Sequence, residues 1–185
     1  TIKRVKSPLA GRPRVRFQCA QHNHTLLEWV YRAGIPFQPF GGGIAVHSDN
    51  QTVTQFATSL VSIRSWPEFI GTTSGYSYIK PKGEIAGARW GHAGSDSTHM
   101  EDFHNPDGTM RSADDITAMW KAWNIKPDQQ VSFYCGTGWR ASETFMYARA
   151  MGWKNVSVYD GGWYEWSSDP KNPVATGERG PDSSK

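Results

Sequence analysis

The stretch that most constrains this chain is Val131-Ser132-Phe133-Tyr134-Cys135-Gly136-Thr137-Gly138-Trp139-Arg140. Four β-branched and aromatic-rich residues read as a strand and stop at a cysteine. A turn with two glycines follows, and then the helical pattern Arg140–Met151, closed by Gly152. Directly after it, Val156-Ser157-Val158-Tyr159 reads as another short strand, ended by Asp160-Gly161-Gly162. Upstream, Ser59–Ile63 reads as a strand with a short helix near Pro67–Ile70. Ala113–Trp123 reads as a helix with Ser112 as its N-cap and Asp114 and Asp115 in its first turn. Strands alternating with helices predict an α/β fold, a parallel central sheet with helices on both faces. Residues 71–110, rich in Gly, Ser, Thr and His, read as long loops with one short strand near Ile85–Arg89.

The 185 residues, 37% hydrophobic with nine Trp, suffice for one such domain with a full core. The net charge of +3 is spread along the chain, which argues against nucleic acid as a partner. No apolar run reaches the length of a membrane span. Two cysteines, Cys19 and Cys135, do not make a disulfide framework and are expected as free thiols.

The first fifty residues repeat a pattern found around Cys135. Val15-Arg16-Phe17-Gln18-Cys19 matches Val131-Ser132-Phe133-Tyr134-Cys135, a helical stretch follows each, and Gly41-Gly42-Gly43 answers Gly161-Gly162. Residues 1–50 are therefore expected to be the C-terminal remnant of a preceding repeat. Residues 51–172 then form the catalytic domain and 173–185 a flexible tail. Cys19 has a shorter loop with no glycine and is expected to be non-catalytic.

The chemistry concentrates at Cys135. Ligands of open α/β sheets bind beyond the carboxyl ends of the strands. A glycine turn leading into a helix can aim several N–H groups at one point, with the helix dipole behind them. A cysteine there is expected to be partly anionic at neutral pH and to act as a nucleophile. Gly136, Thr137, Gly138 and Trp139 are the expected walls of the binding site. Arg140, a cation in a first helical turn, implies a nearby anion. Cys135 as an inert buried thiol, the glycines as ordinary turn residues and Arg140 as idle are the plain alternatives. His92, His99 and His104, with Glu101 and Asp102, match no zinc pattern and are read as a polar surface loop, so no metal is expected.

Cys135-x-x-Gly138-x-Arg140 on this turn resembles the active-site loop of the rhodanese family. Val156-x-x-Tyr159-Asp160-Gly161-Gly162-Trp163-x-Glu165-Trp166 resembles that family's C-terminal signature. Gly83-Glu84-Ile85-Ala86-Gly87-Ala88 is similar to its Gly-His-Ile-x-Gly-Ala segment, with Glu84 in place of His. The resemblance implies a rhodanese-like fold within a multi-domain protein. It implies a sulfurtransferase that moves sulfur from thiosulfate to a thiophilic acceptor, cyanide or a thiol, through a Cys135 persulfide and without cofactor. Cys-Gly-Thr-Gly also resembles the mercaptopyruvate-using branch, so that donor is the alternative. A Cys-based phosphatase would by resemblance need a loop one residue longer, and non-catalytic modules usually lose the cysteine. Arg64 and Arg89 are the further candidate anion contacts. The family's Asp-x-Arg is Ser62-Ile63-Arg64 here, which puts a supporting ion pair in doubt. The resemblance, with Thr1 rather than Met first, gives a periplasmic location as the expectation and the cytoplasm as the alternative.

Overall fold

The expected strand before the cysteine becomes the middle strand of a five-stranded sheet. The computed structural model describes residues 59–181, and ahead of them the backbone of three short strands: β1 (Arg4–Val5), β2 (Arg14–Val15) and β3 (Val46–His47). The other elements are β4 (Ser59–Ser62), α1 (Trp66–Phe69), β5 (Glu84–Ile85), β6 (Arg89–Trp90) and α2 (Ala113–Ala122). They are followed by β7 (Val131–Tyr134), α3 (Trp139–Ala150), β8 (Val156–Tyr159), α4 (Gly162–Ser168) and β9 (Val174–Ala175). The sheet order is β3-β8-β7-β4-β6, and every pair in it is parallel. β1 and β2 pair antiparallel with each other.

Alternation along the strands sorts side chains to the two faces. Phe133 and Val158 join Val61, Ile116, Trp120, Ala141, Phe145 and Ala148 on one face, under α2 and α3. Tyr134 and Tyr159 join Trp163, Trp166 and Ile85 on the other, under α4. Helices therefore cover both faces, as expected. Each fully buried side chain of Phe size contributes roughly 1.5–3 kcal/mol, so the buried Trp120, Trp163 and Trp166 carry much of the core. The Ser112 hydroxyl accepts from the Asp115 amide at 3.1 Å, the expected cap of α2. Gly152, at φ +87°, ends α3.

Three expectations change. The single strand near Ile85–Arg89 divides at Gly87, φ +82°, into β5 and β6, which lie in different sheets. β3 pairs with β8, so the sheet takes in a strand ahead of residue 51, where the domain was expected to start. The segment from 173, expected as a flexible tail, is docked as far as residue 181. There β9 pairs antiparallel with β5, the Gly177 amide donates to Ile70 O at 2.8 Å, and the Arg179 Nη2 donates to Phe69 O at 2.9 Å. An open strand edge and the free carbonyls at the end of α1 take up these groups. Cys19, the stretch Leu26–Ala33, Gly41–Gly43 and most of the proposed repeat lie outside the described residues.

Candidate active site

Cys135 follows β7 at its C-terminal end and is fully buried. Gly138 caps α3 in the left-handed conformation, φ +87°, and a Cβ there would lie 3.1 Å from the Asp160 backbone. A Cβ on Gly136 would come within 2.0 Å of the Tyr76 ring, which lies directly on this peptide. Both glycines are thus required by conformation or by close approach. Thr137 is half-buried and its hydroxyl bonds no described residue, while Trp139 is 60% exposed at the rim of the loop.

The orientation of the loop is set by α4. The Trp163 amide donates to Cys135 O at 2.8 Å and the Tyr164 amide to Gly136 O at 3.0 Å. In a planar trans peptide the N–H points opposite to the carbonyl. The amides of Gly136 and Thr137 therefore point away from α4. Gly162, at φ +54°, permits this approach, since a Cβ there would lie 2.5 Å from Cys135 O. Among the described residues, no protein group accepts from the amides of residues 136–141. A run of unclaimed amides at a helix N-terminus, beside a cysteine, is suited to hold a negative charge.

Arg140 is buried, 5% exposed, and does not wait for an external anion. Its Nη1 and Nη2 donate to the two Glu68 carboxylate oxygens, each at 2.9 Å, in a paired fork. Nη1 also donates to Asp96 O at 3.1 Å and Nη2 to the Tyr76 hydroxyl at 3.2 Å. The anion that Arg140 implies is a protein carboxylate. Burial opposes ionisation of Glu68, but the Arg140 charge and hydrogen bonds, with Arg64, hold its carboxyl below the usual range. Burial would weaken the Arg140 cation, and Glu68 and then Cys135 more than restore it. Burial first, and the adjacent Cys135 charge second, push the Tyr76 phenol up to about 12.

The two other arginines bond protein groups. Arg64 is fully buried between Glu68 at 3.4 Å and Glu84 at 3.3 Å, and its Nη1 donates to Gly83 O at 2.7 Å. The Ser62 and Tyr134 hydroxyls also donate to Glu84. The ion pair that Ser62 put in doubt is therefore present: the carboxylate comes from Glu84, the residue standing where the resembled family has His. Arg89 points to the opposite end of the sheet. It reaches Ser59 Oγ at 2.6 Å and Asn124 O at 3.0 Å, near the start of β4, while Cys135 lies beyond the end of β7.

Glu68 and Tyr76 are the site residues that sequence reasoning missed. Glu68 had a faint signal: Ser65-x-x-Glu68 has helix-start spacing, and the Ser65 amide and hydroxyl do donate to its carboxylate, at 3.0 and 2.8 Å. Tyr76 had none, since it lies in an aperiodic Gly- and Ser-rich stretch. The histidines of the 92–104 segment pair with separate carboxylates, His92 with Asp102, His99 with Asp96 and His104 with Glu143. No group of three or more His, Cys, Asp or Glu placed to hold a metal ion occurs among the described residues. No helix among them is long and apolar enough to cross a membrane.

Comparison with known proteins places this geometry. Residues 47–169 match the Rhodanese-like domain family. Over 127 residues, 69% of the chain, it is 99% identical to the thiosulfate sulfurtransferase YnjE of Escherichia coli K12, and covers 29% of that protein. The crystal structure of YnjE superposes with a TM-score of 0.68 at 98% identity, over 69% of this chain and 31% of that one. A structure of EanB carrying a cysteine persulfide, with ergothioneine, superposes with a TM-score of 0.66 at 49% identity, over 70% of this chain and 30% of that one. The chain thus spans less than a third of the length of each of these relatives.

Proposed function

The chain belongs to the rhodanese-like domain family, and from that premise we propose that it is a sulfurtransferase in which Cys135 carries sulfur from thiosulfate to a thiophilic acceptor such as cyanide or a thiol. The observation that carries the proposal is the run of unclaimed amides, residues 136–141, that begins beside a buried cysteine. In the first step the Cys135 thiolate bonds to the outer sulfur of thiosulfate. The sulfur–sulfur bond breaks and sulfite leaves with its electron pair. The Cys135 persulfide anion then faces the loop amides, which hold its charge as they would any oxyanion. In the second step the acceptor bonds to the outer sulfur, and the electron pair of the Sγ–S bond returns to Cys135.

The relatives support this reading. YnjE is named for thiosulfate sulfurtransfer, and EanB has been seen with a persulfide on a cysteine. Because Glu68 matches the charge of Arg140, the negative charge of donor and persulfide rests chiefly on the amides. 3-Mercaptopyruvate remains the alternative donor, favoured by the Cys-Gly-Thr-Gly sequence. A preceding rhodanese-like unit as intramolecular partner and a periplasmic setting remain parts of the proposal.

Incubation of the chain with thiosulfate should add one sulfur, about 32 Da by intact mass, and later cyanide should release it as thiocyanate. Cys135→Ser should neither gain the mass nor form thiocyanate. Thiocyanate formation at an undiminished rate by that variant would assign the chemistry elsewhere. Running thiosulfate and mercaptopyruvate side by side identifies the donor.

A further inference from the structure

Tyr76 is part of the molecule that the mechanism above leaves unused, although it lies on the reacting loop. Its ring covers Gly136 so closely that the ring edge and hydroxyl fall 2.0–2.7 Å from a Cβ built there. The hydroxyl accepts from Arg140 Nη2 at 3.2 Å. Among the described residues nothing accepts the Tyr76 proton, Cys135 Sγ included. Arg140 is itself locked by the Glu68 fork. A lone pair of the Tyr76 oxygen is thus fixed, and its O–H is left to point elsewhere, polarised by the guanidinium. The ring thus lies against the residue that directly follows Cys135 in the chain. A persulfide extends the cysteine by one sulfur, roughly 2 Å further from the backbone.

We propose that the Tyr76 hydroxyl donates a hydrogen bond to the outer sulfur of the Cys135 persulfide and that this bond speeds transfer to the acceptor. The inference rests on the sulfurtransferase reading. During discharge an anionic acceptor such as cyanide approaches an anionic sulfur. The transition state holds two negative charges where the loaded site held one, so a neutral donor aimed there stabilises it more than the ground state. Cyanide bonds to the outer sulfur, the Sγ–S bond breaks, its electron pair returns to Cys135 and thiocyanate departs. The Tyr76 proton stays on Tyr76 throughout. The raised phenol pKa, about 12, keeps that donor protonated across the working range.

The test compares the chain with its Tyr76→Phe variant, which keeps the ring over Gly136 and removes only the hydroxyl. Both are loaded with thiosulfate to completion and then mixed with cyanide, and loss of the persulfide mass is timed. The variant should still load one sulfur per chain and discharge it roughly tenfold to a hundredfold more slowly, the loss of one hydrogen bond to a charged group. Discharge at the unaltered rate, or failure of the folded variant to load, overturns the inference. Failure of the unaltered chain to load overturns the sulfurtransferase reading first and is thereby distinguishable. A second readout needs no substitution: with tyrosine labelled at ring ¹³Cζ, the Tyr76 signal should move on loading and the buried Tyr134 signal should not. An unmoved Tyr76 signal in a chain shown by mass to be loaded also overturns it.

Discussion

Two neighbouring parallel strands, β7 and β8, each run through a glycine turn into a helix at the same end of the sheet, yet their first helical turns do opposite things. At the start of α3 the amides of residues 136–141 meet no acceptor among the described residues. At the start of α4 the amides of Trp163 and Tyr164 donate to the carbonyls of Cys135 and Gly136. The second turn holds the first one open. Both carry the dipole that would attract an anion, but α4 has already given its Trp163 and Tyr164 amides to the loop carbonyls. A cysteine alone does not make this site, and neither does a helix N-terminus. The site requires a second helix that takes the loop carbonyls out of the way and so turns their amides to the opposite side.

The comparison breaks most severely at Gly162. Gly162→Ala would place a methyl 2.5 Å from Cys135 O, at a residue with φ +54°. The loop carbonyls would be pushed off α4, and a displacement of about an ångström in a reacting group can reduce rates by about a hundredfold. We expect a loss of that order in thiocyanate formation and a lowered melting temperature. Near-normal activity would mean that α4 does not orient the loop.

Glu68→Gln tests the clamp beneath α3 and should act mainly on stability. Removing one partner of a buried ion pair destabilises by about 3–5 kcal/mol, because the other charge is left uncompensated. Denaturant unfolding measures this directly. Glu68 has a folded pKa below its ordinary value of 4.5, so its contribution is complete above that pH and is lost as the pH falls through the depressed folded value. The unaltered chain should therefore lose stability on acidification below about pH 4.5, and the Gln variant should lack that part of the decline. Parallel acid profiles for the two would assign the sensitivity to other carboxylates.

The smallest effect belongs to the far end of the sheet. Arg89 bonds Ser59, Asn124 and Gln129 there, away from Cys135. Arg89→Ala should leave the KM for thiosulfate within about twofold and reduce stability by roughly 1–3 kcal/mol through lost hydrogen bonds. A large rise in KM would restore it to the binding site.

Much of this was legible in the residues. The strand, cysteine, glycine turn and helix from Val131 to Ala150 form one continuous segment whose signals are contiguous, and α2 starts at the cap that Ser112 announced. The signals failed where partners come from distant segments. Ser62 and Glu84 look like two separate departures from a family pattern, and only the fold shows that the second supplies the carboxylate missing from the first. Arg64, Arg89 and Arg140 are equivalent as letters, and the end of the sheet each faces decides its role. Tyr76 belongs to a stretch without period, so nothing in its surroundings foretold that its ring covers Gly136.

Loading sulfur on Cys135 should engage the amides of α3 and leave those of α4 on the loop carbonyls. Amide ¹H–¹⁵N spectra of the chain before and after thiosulfate, with loading confirmed by mass, test it directly. The signals of residues 136–141 should shift, and those of Trp163 and Tyr164 should stay nearly still. A loaded chain in which the α3 amides do not move, or in which the α4 amides move instead, would contradict it.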